Sequence, residues 1–255
     1  MPPDFLIAMM SRPGERDRNE DACGYWGWGK TGQQGPVCCV LADGAGGHGG
    51  GDVASQTAAA TVLEAFAVAP RCDPQKVREL IELANGAVVA RQSPAGATRD
   101  MRSTLVIFIC DPAGAVAAWG HTGDSRLYCF RGGRLFLHTR DHSLFQSMVE
   151  AGMADPAALR GNPRRNLLIA SLGGVEQLEA DVPANTFPLL SGDAFLICSD
   201  GFWEMVEEAA MESALQVATD PQAWIEDLAE DIRRQGRAGQ DNYSALAVWF
   251  GKPAG

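Results

Sequence analysis

The chain has 255 residues, of which 46% are hydrophobic and 21% charged, and it carries a formal net charge of -11. That composition excludes a disordered polymer, and the acidity argues against a nucleic-acid partner, whose binding needs clustered Lys and Arg to displace counterions. No run approaches the roughly 20 apolar residues of a membrane span. The apolar stretch Phe5 to Met10 has no basic residue before it, so no signal peptide or membrane association is read and the cytoplasm is the expected location.

In chain order, strand-like runs come first: Phe5 to Ser11, Ala22 to Trp28 and Val37 to Ala42. Helices are predicted over Asp52 to Ala69 and Pro74 to Ala90, the second because Val77, Leu80, Ile81, Ala84 and Val88 recur at helical spacing. Strands follow at Ser103 to Cys110, Ala115 to Gly120, Arg126 to Arg131 and Arg134 to His138, the last two joined by the turn signal Gly132-Gly133. The polar stretch 141–174, with a short helix near Ser143 to Ala151, reads as a surface flap. A buried run, Ala194 to Ser199, precedes helices at Glu207 to Ala218 and Pro221 to Arg234 and a last strand at Tyr243 to Phe250. Helix pairs interleaved with groups of antiparallel-looking strands predict two packed sheets with helices outside. One domain spanning 1–255 is expected at this length.

Seven cysteines are present, five of them inside apolar runs (Cys38, Cys39, Cys110, Cys129 and Cys198), and no C-x-x-C pair occurs. Reduced core thiols are the reading; zinc and redox chemistry are disfavoured.

Two runs that read as buried strands lead directly into Asp43-Gly44 and Asp200-Gly201. A carboxylate at the mouth of a buried strand is costly unless a cation meets it. Together with Arg16-Asp17-Arg18-Asn19-Glu20-Asp21 and Asp241-Asn242, these carboxylates would form an oxygen cage for hard divalent cations. Arg16 lies four residues before Glu20, so regular backbone geometry would put both on one side, with the guanidinium free to grip two phosphate oxygens. Taken singly, each patch has an ordinary rival: a solvated turn, a strand-end turn, or, for Asp241, a cap or a pair with Arg237.

Two nucleotide-loop patterns compete. Gly24 to Thr31 fits G-x-x-x-x-G-K-T, but aromatics fill it and Gly32 to Pro36 follows where a helix should open. Gly44 to Gly49 fits G-x-G-x-x-G, but Asp43 would face a pyrophosphate and Glu64 falls inside a helix. With no G-x-S-x-G and no H-E-x-x-H, neither a nucleophile elbow nor a zincin site can be assembled locally, and with only four histidines (His48, His121, His138, His142) a histidine-rich metal site is not expected.

Five fragments in order resemble the metal-dependent protein serine/threonine phosphatases, the PPM or type 2C family. They are Arg16-x-x-x-Glu20-Asp21, Leu41-Ala-Asp-Gly44 through His48 to Ser55, Gly123-Asp-Ser-Arg126, Ser199-Asp-Gly201 and Asp241-Asn242. The resemblance implies an α+β fold, a four-layer α/β/β/α sandwich of two antiparallel sheets flanked by helices. It implies two Mg²⁺ or Mn²⁺ ions, with Asp43 bridging them, the Gly44 carbonyl on one, and Asp200 and Asp241 on the other. Glu20 would act mainly through metal-bound water. Asp21 would brace the cluster from behind, beside Asn242, and Asp124 would hold a third ion shared with Asp200. Two cations roughly 3.5 to 4 Å apart can deliver a bridging water or hydroxide in line to phosphorus, with Arg16 as phosphate clamp. Animal members place a general-acid histidine where this chain has Ala45; His48 is read here as a brace of the glycine loop or a donor to the leaving group. The implied substrates are phosphoserine and phosphothreonine in proteins, opposite a Ser/Thr kinase, for a monomeric enzyme. The rival is an inactive scaffold of the same fold, which would need a lost metal ligand.

Overall fold

The computed structural model describes residues 5–27, 35–45, 50–160, 162, 164–174, 178 and 180–253. One sheet runs in the order β1 (Phe5–Arg12), β11 (Tyr243–Phe250), β10 (Asp193–Cys198), β7 (Arg126–Arg131), β8 (Arg134–His138). The other runs β2 (Asp21–Trp26), β3 (Val37–Ala45), β5 (Leu105–Asp111), β6 (Val116–Thr122), β9 (Phe187–Pro188), with the two-residue β4 (Arg102–Ser103) paired to the end of β3. Every recorded strand pair is antiparallel.

Side-chain alternation separates the layers, because successive residues of a strand face opposite sides. On β3, Val37, Cys39 and Leu41 enter the core between the sheets with Phe108, Phe195, Ile197 and Leu246. Cys38, Val40 and Ala42 face the other way, onto a core shared with Val62 and Phe66 of α1 (Gly51–Val68) and Leu80, Ile81 and Val88 of α2 (Pro74–Arg91). On the opposite flank, Leu196, Ala247 and Trp249 pack against Met211 and Leu215 of α5 (Glu208–Val217) and Trp224, Ile225 and Leu228 of α6 (Pro221–Gln235). The result is the expected α/β/β/α sandwich. Helix starts follow local chemistry: Asp73 accepts from Lys76 N–H ahead of Pro74, and Asp220 accepts from Ala223 N–H ahead of Pro221. All seven cysteines are free thiols, and the five singled out from apolar runs are buried.

Several boundaries differ from expectation. β3 continues through Asp43 and Gly44 to Ala45, because Gly44 and Ala45 pair with Ser103 and Arg102 of β4. The run predicted as one strand from Ser103 breaks at Thr104, whose N–H and side chain turn to Asp43. Strand β9 and the four-residue α4 (Asp200–Trp203) are too short to leave a periodic signal. The flap helix α3 spans Leu144–Glu150. Trp28, the Lys30-Thr31 part of the first nucleotide-loop pattern and His48 lie outside the described residues.

Candidate metal centre

The carboxylates named from the sequence arrive at one cleft from five separate places. Asp21 opens β2 directly opposite Asp43 in the β2/β3 pairing. Asp124 sits between β6 and β7, Asp200 is the first residue of α4, and Asp241 precedes β11. The cleft, of 240 Å³, is lined by Glu20, Asp43, Gly44, Asp124, Asp200 and Asp241, with Arg16, Ala45 and Asn242 also in its wall. Asp21 is buried behind it, its Oδ2 accepting from Ser199 Oγ at 2.9 Å.

Hydrogen bonds explain how residues so distant in sequence hold this position. Asn242 accepts from Glu20 N–H at 2.8 Å and donates to the carbonyls of Pro13 and Arg18, tying the 13–20 turn to the last strand. Gly44 N–H donates to Glu20 O at 3.0 Å. A Cβ on Gly44 would stand 2.0 Å from Gly51 O, and one on Gly201 2.1 Å from Asn242 O. Both Asp-Gly pairs therefore need glycine because another backbone passes against them.

Electrostatics set the requirement for cations. Burial first, then Asp21, Asp200 and Asp124 close by, push the Asp43 carboxyl far above its ordinary range. Asp124 is raised by burial and by Asp200, and Asp200 by burial and by Asp241. Burial lifts Asp21 to about 7, against hydrogen bonds from Ser244 and Ser199 that lower it. Glu20 is raised by burial and by Asp52 and Asp241. Among the described residues, Arg16 is the one cationic side chain in the cleft wall, donating to Asp241 Oδ2 at 2.9 Å. Arg165 approaches from the flap, its Nη1 3.8 Å from Asp200 Oδ2, with Glu204 as its closer partner. Crowded carboxylates with so little counter-charge, and a donor set composed of oxygen, fit hard divalent cations of the Mg²⁺ and Mn²⁺ class.

Arg16 reaches the cleft by a different route from the one expected. It lies in an irregular turn between β1 and β2, so its position beside Glu20 owes nothing to strand or helix periodicity. Asp241 pairs with Arg16, whereas Arg237 pairs with Glu204. Several supporting residues escaped the sequence reading. Thr104 Oγ1 accepts from Asp43 N–H at 3.0 Å, Ser103 Oγ donates to Asp43 O at 3.0 Å, and Ser125 Oγ lies 2.7 Å from Thr104 Oγ1. Asn166 and Leu168 of the flap also line the cleft. The only hint was two hydroxyl residues just ahead of the buried run Leu105 to Cys110.

Arg126 has no place in the cleft wall but organises its surroundings. It makes a bidentate pair with Asp141 at 2.7 and 2.8 Å, donates to Tyr128 Oη at 2.9 Å, and stacks 3.5 Å from the Trp203 ring centre. Trp203 in turn donates from its indole N–H to Asp124 O at 2.8 Å. Strand β7, the start of the flap, α4 and the Asp124 loop thus share one buried knot.

Comparison with known proteins agrees with this architecture. A family model described as protein phosphatase 2C matches residues 11–235. Serine/threonine phosphatase stp of Listeria innocua is 31% identical over 240 residues, which cover 91% of this chain and 90% of that one. The crystal structure of the Mycobacterium tuberculosis serine/threonine phosphatase PstP/Ppp superposes with a TM-score of 0.80 at 28% identity, covering 97% of this chain and 99% of that one. A structure of the PstP catalytic domain in complex with two manganese ions gives 0.79 at 28% identity, over 96% and 97% of the two chains. A family model matching residues 11–235, a relative 31% identical along about nine tenths of both chains and a shared sandwich place this chain in the protein phosphatase 2C family.

Proposed function

We propose that the protein is a metal-dependent protein phosphatase that hydrolyses phosphoserine and phosphothreonine, acting as a single catalytic domain with a flap at about 141–174. The observation that carries this reading is the convergence of Glu20, Asp43, Asp124, Asp200 and Asp241 on a cleft whose wall, among the described residues, contains one cation, Arg16. Asp43, the Gly44 carbonyl, Asp200 and Asp241 would hold two Mg²⁺ or Mn²⁺ ions; the number is supported by the two manganese ions in the complex of the PstP catalytic domain. Glu20 would contribute through water, and Asp124 with Asp200 would hold a third. When bound, such ions lower the pKa of water and take up charge on phosphate oxygens.

The chain's own groups then do the positioning. Arg16, half exposed at the rim, would exchange its bond to Asp241 for two phosphate oxygens, a geometry the planar guanidinium matches. Ser103 and Thr104 fix the backbone of Asp43, and Ser199 fixes Asp21. Asp43 and the Asp21 brace behind it are thereby held before substrate arrives, which spares reorganisation during the reaction. Phosphorylated proteins, a Ser/Thr kinase and its substrates would be the partners, in the cytoplasm; no helix among the described residues is long and apolar enough to cross a membrane.

The test is phosphate release from a phosphothreonine peptide with Mn²⁺, Mg²⁺ or EDTA, for wild type, Asp43→Asn and Asp241→Asn. Turnover that needs metal and is lost in both variants is expected. A folded wild type that releases no phosphate with either metal would refute the proposal and favour a scaffold role.

A further inference from the structure

A second group of potential ligands lies beside the flap and uses none of the carboxylates above. The Nδ1 or Nε2 atoms of His121 and His142 and a carboxylate oxygen of Asp181 lie within 4.8 Å of one another, the one such group of three among the described residues. His121 projects from β6 with its side chain 1% exposed. Its Nε2 is 2.7 Å from Arg140 O, a carbonyl that only accepts, so Nε2 carries the proton and Nδ1 keeps a free lone pair. That Nδ1 is buried without a hydrogen-bond partner and stands 3.9 Å from Asp181 Oδ2. A backbone carbonyl on one ring nitrogen and an open lone pair on the other is the arrangement that orients metal-ligating histidines.

The three backbones are fixed independently of any ion. His121 and Asp181 exchange two backbone hydrogen bonds, at 3.1 and 3.3 Å. His142 N–H donates to Gly123 O at 2.9 Å, and Ile169 N–H donates to His142 O at 2.9 Å. The imidazoles of His121 and His142 are stacked with centroids 4.6 Å apart. His142 and Asp181 open onto a pocket of 440 Å³ that also includes Arg102 and Ser171, which leaves access for an ion and room for water or a small anion as a fourth ligand.

We infer that His121, His142 and Asp181 form a binding site for a transition-metal ion of the Zn²⁺ class, separate from the carboxylate cluster, that ties the base of the flap to β6. Two imidazoles with one carboxylate and an open position suit Zn²⁺ better than Mg²⁺, which prefers oxygen donors and water. Tetrahedral Zn²⁺ with bonds near 2.0 to 2.1 Å needs its donors about 3.3 Å apart. Reaching that spacing would take rotation of the exposed Asp181 side chain and a turn of the His142 ring out of its stack on His121. Ligation through either nitrogen of His142 gives up one long hydrogen bond, from Gly123 N–H to Nδ1 at 3.3 Å. Because Ile169 is bonded to His142, a bound ion would secure the start and the return of the flap at one point.

The test is Zn²⁺ titration of the full chain by calorimetry in excess Mg²⁺, with Co²⁺ substitution as a spectroscopic readout of a tetrahedral nitrogen-containing site. Wild type and Asp43→Asn/Asp241→Asn should both bind one Zn²⁺ and develop the intense visible Co²⁺ bands. His142→Ala and Asp181→Asn should weaken Zn²⁺ at least about tenfold and lose those bands. Asp181 is exposed, so its variant decides the matter even if His142→Ala is unstable. Unchanged Zn²⁺ affinity in Asp181→Asn, or loss of all Zn²⁺ binding in Asp43→Asn/Asp241→Asn, would overturn the inference, and neither result depends on phosphatase activity.

Discussion

Replacing Arg126 by Met removes the cation from a pair in which Arg126 is 4% and the Asp141 side chain 1% exposed. Asp141 then keeps no cationic partner within the ion pairs recorded for it. Breaking a buried pair from one side costs about 3 to 5 kcal/mol, because the remaining charge is left buried without a partner. Loss of the guanidinium stack on Trp203 adds to this, while the Met side chain restores part of the packing. A net destabilisation of about 3 to 5 kcal/mol corresponds to a fall in melting temperature of roughly 6 to 20 °C for a chain of this size. Thermal and urea unfolding of Arg126→Met, Asp141→Leu and the double variant form a cycle. The double variant should be more stable than Arg126→Met, since it leaves no orphaned charge. A melting temperature within about 3 °C of wild type, or strictly additive losses in the cycle, would show that the pair does not hold the β7, flap and α4 junction together.

Other consequences can be checked in parallel. In metal-free protein the Asp21 carboxyl is raised from 3.8 to about 7, so the folded state holds a proton that the unfolded state releases. Stability should therefore fall as pH rises from about 4 through 7, by up to about 4 kcal/mol from this group, and saturating Mn²⁺ should flatten the slope; a metal-free protein equally stable at about pH 5 and pH 8 would contradict this. Gly201→Ala forces a Cβ to within 2.1 Å of the Asn242 carbonyl, and a loss of about 1 to 3 kcal/mol with weakened Mn²⁺ binding is expected by calorimetry. Arg16→Lys should raise KM for a phosphopeptide nearly as much as Arg16→Ala, because a point charge cannot make the forked contact; full rescue by Lys would refute the clamp. Ser199→Ala leaves Asp21 Oδ2 and Ser244 N–H without their partner and should cost about 1 to 3 kcal/mol in urea unfolding.

The architecture could be read from the sequence wherever a strand buries both faces or a helix buries one. Val37 to Ala42, Ala194 to Cys198 and the Val77 to Val88 stripe all lie where their patterns put them. Carboxylates following such runs could also be read, because burial makes them too costly to be incidental. Their supports could not. Thr104 serves Asp43 from 61 positions away and Ser199 serves Asp21 from 178, and hydroxyl side chains carry no periodic signature. Arg126 stood in one of the quoted fragments, but nothing in the sequence pointed to Asp141, 15 positions on, as its buried partner. Arg16 reached the cleft through an irregular turn tied down by Asn242, a contact that depends on the finished tertiary structure.

Strand β11 lies between β1 and β10, and residues 241 and 242 just before it touch the turn that carries Arg16 and Glu20. During synthesis, the earliest and latest segments of this sheet must therefore wait for one another. Until residue 250 has left the ribosome, β1 has no neighbour on its inner edge and Glu20 lacks the amide that fixes it. Long-range pairing of this kind slows folding, and here it also works as a timing device. A nascent chain can expose most of its carboxylates yet cannot assemble them, so competence would be acquired in one step, once Asp241, Asn242 and β11 are in place.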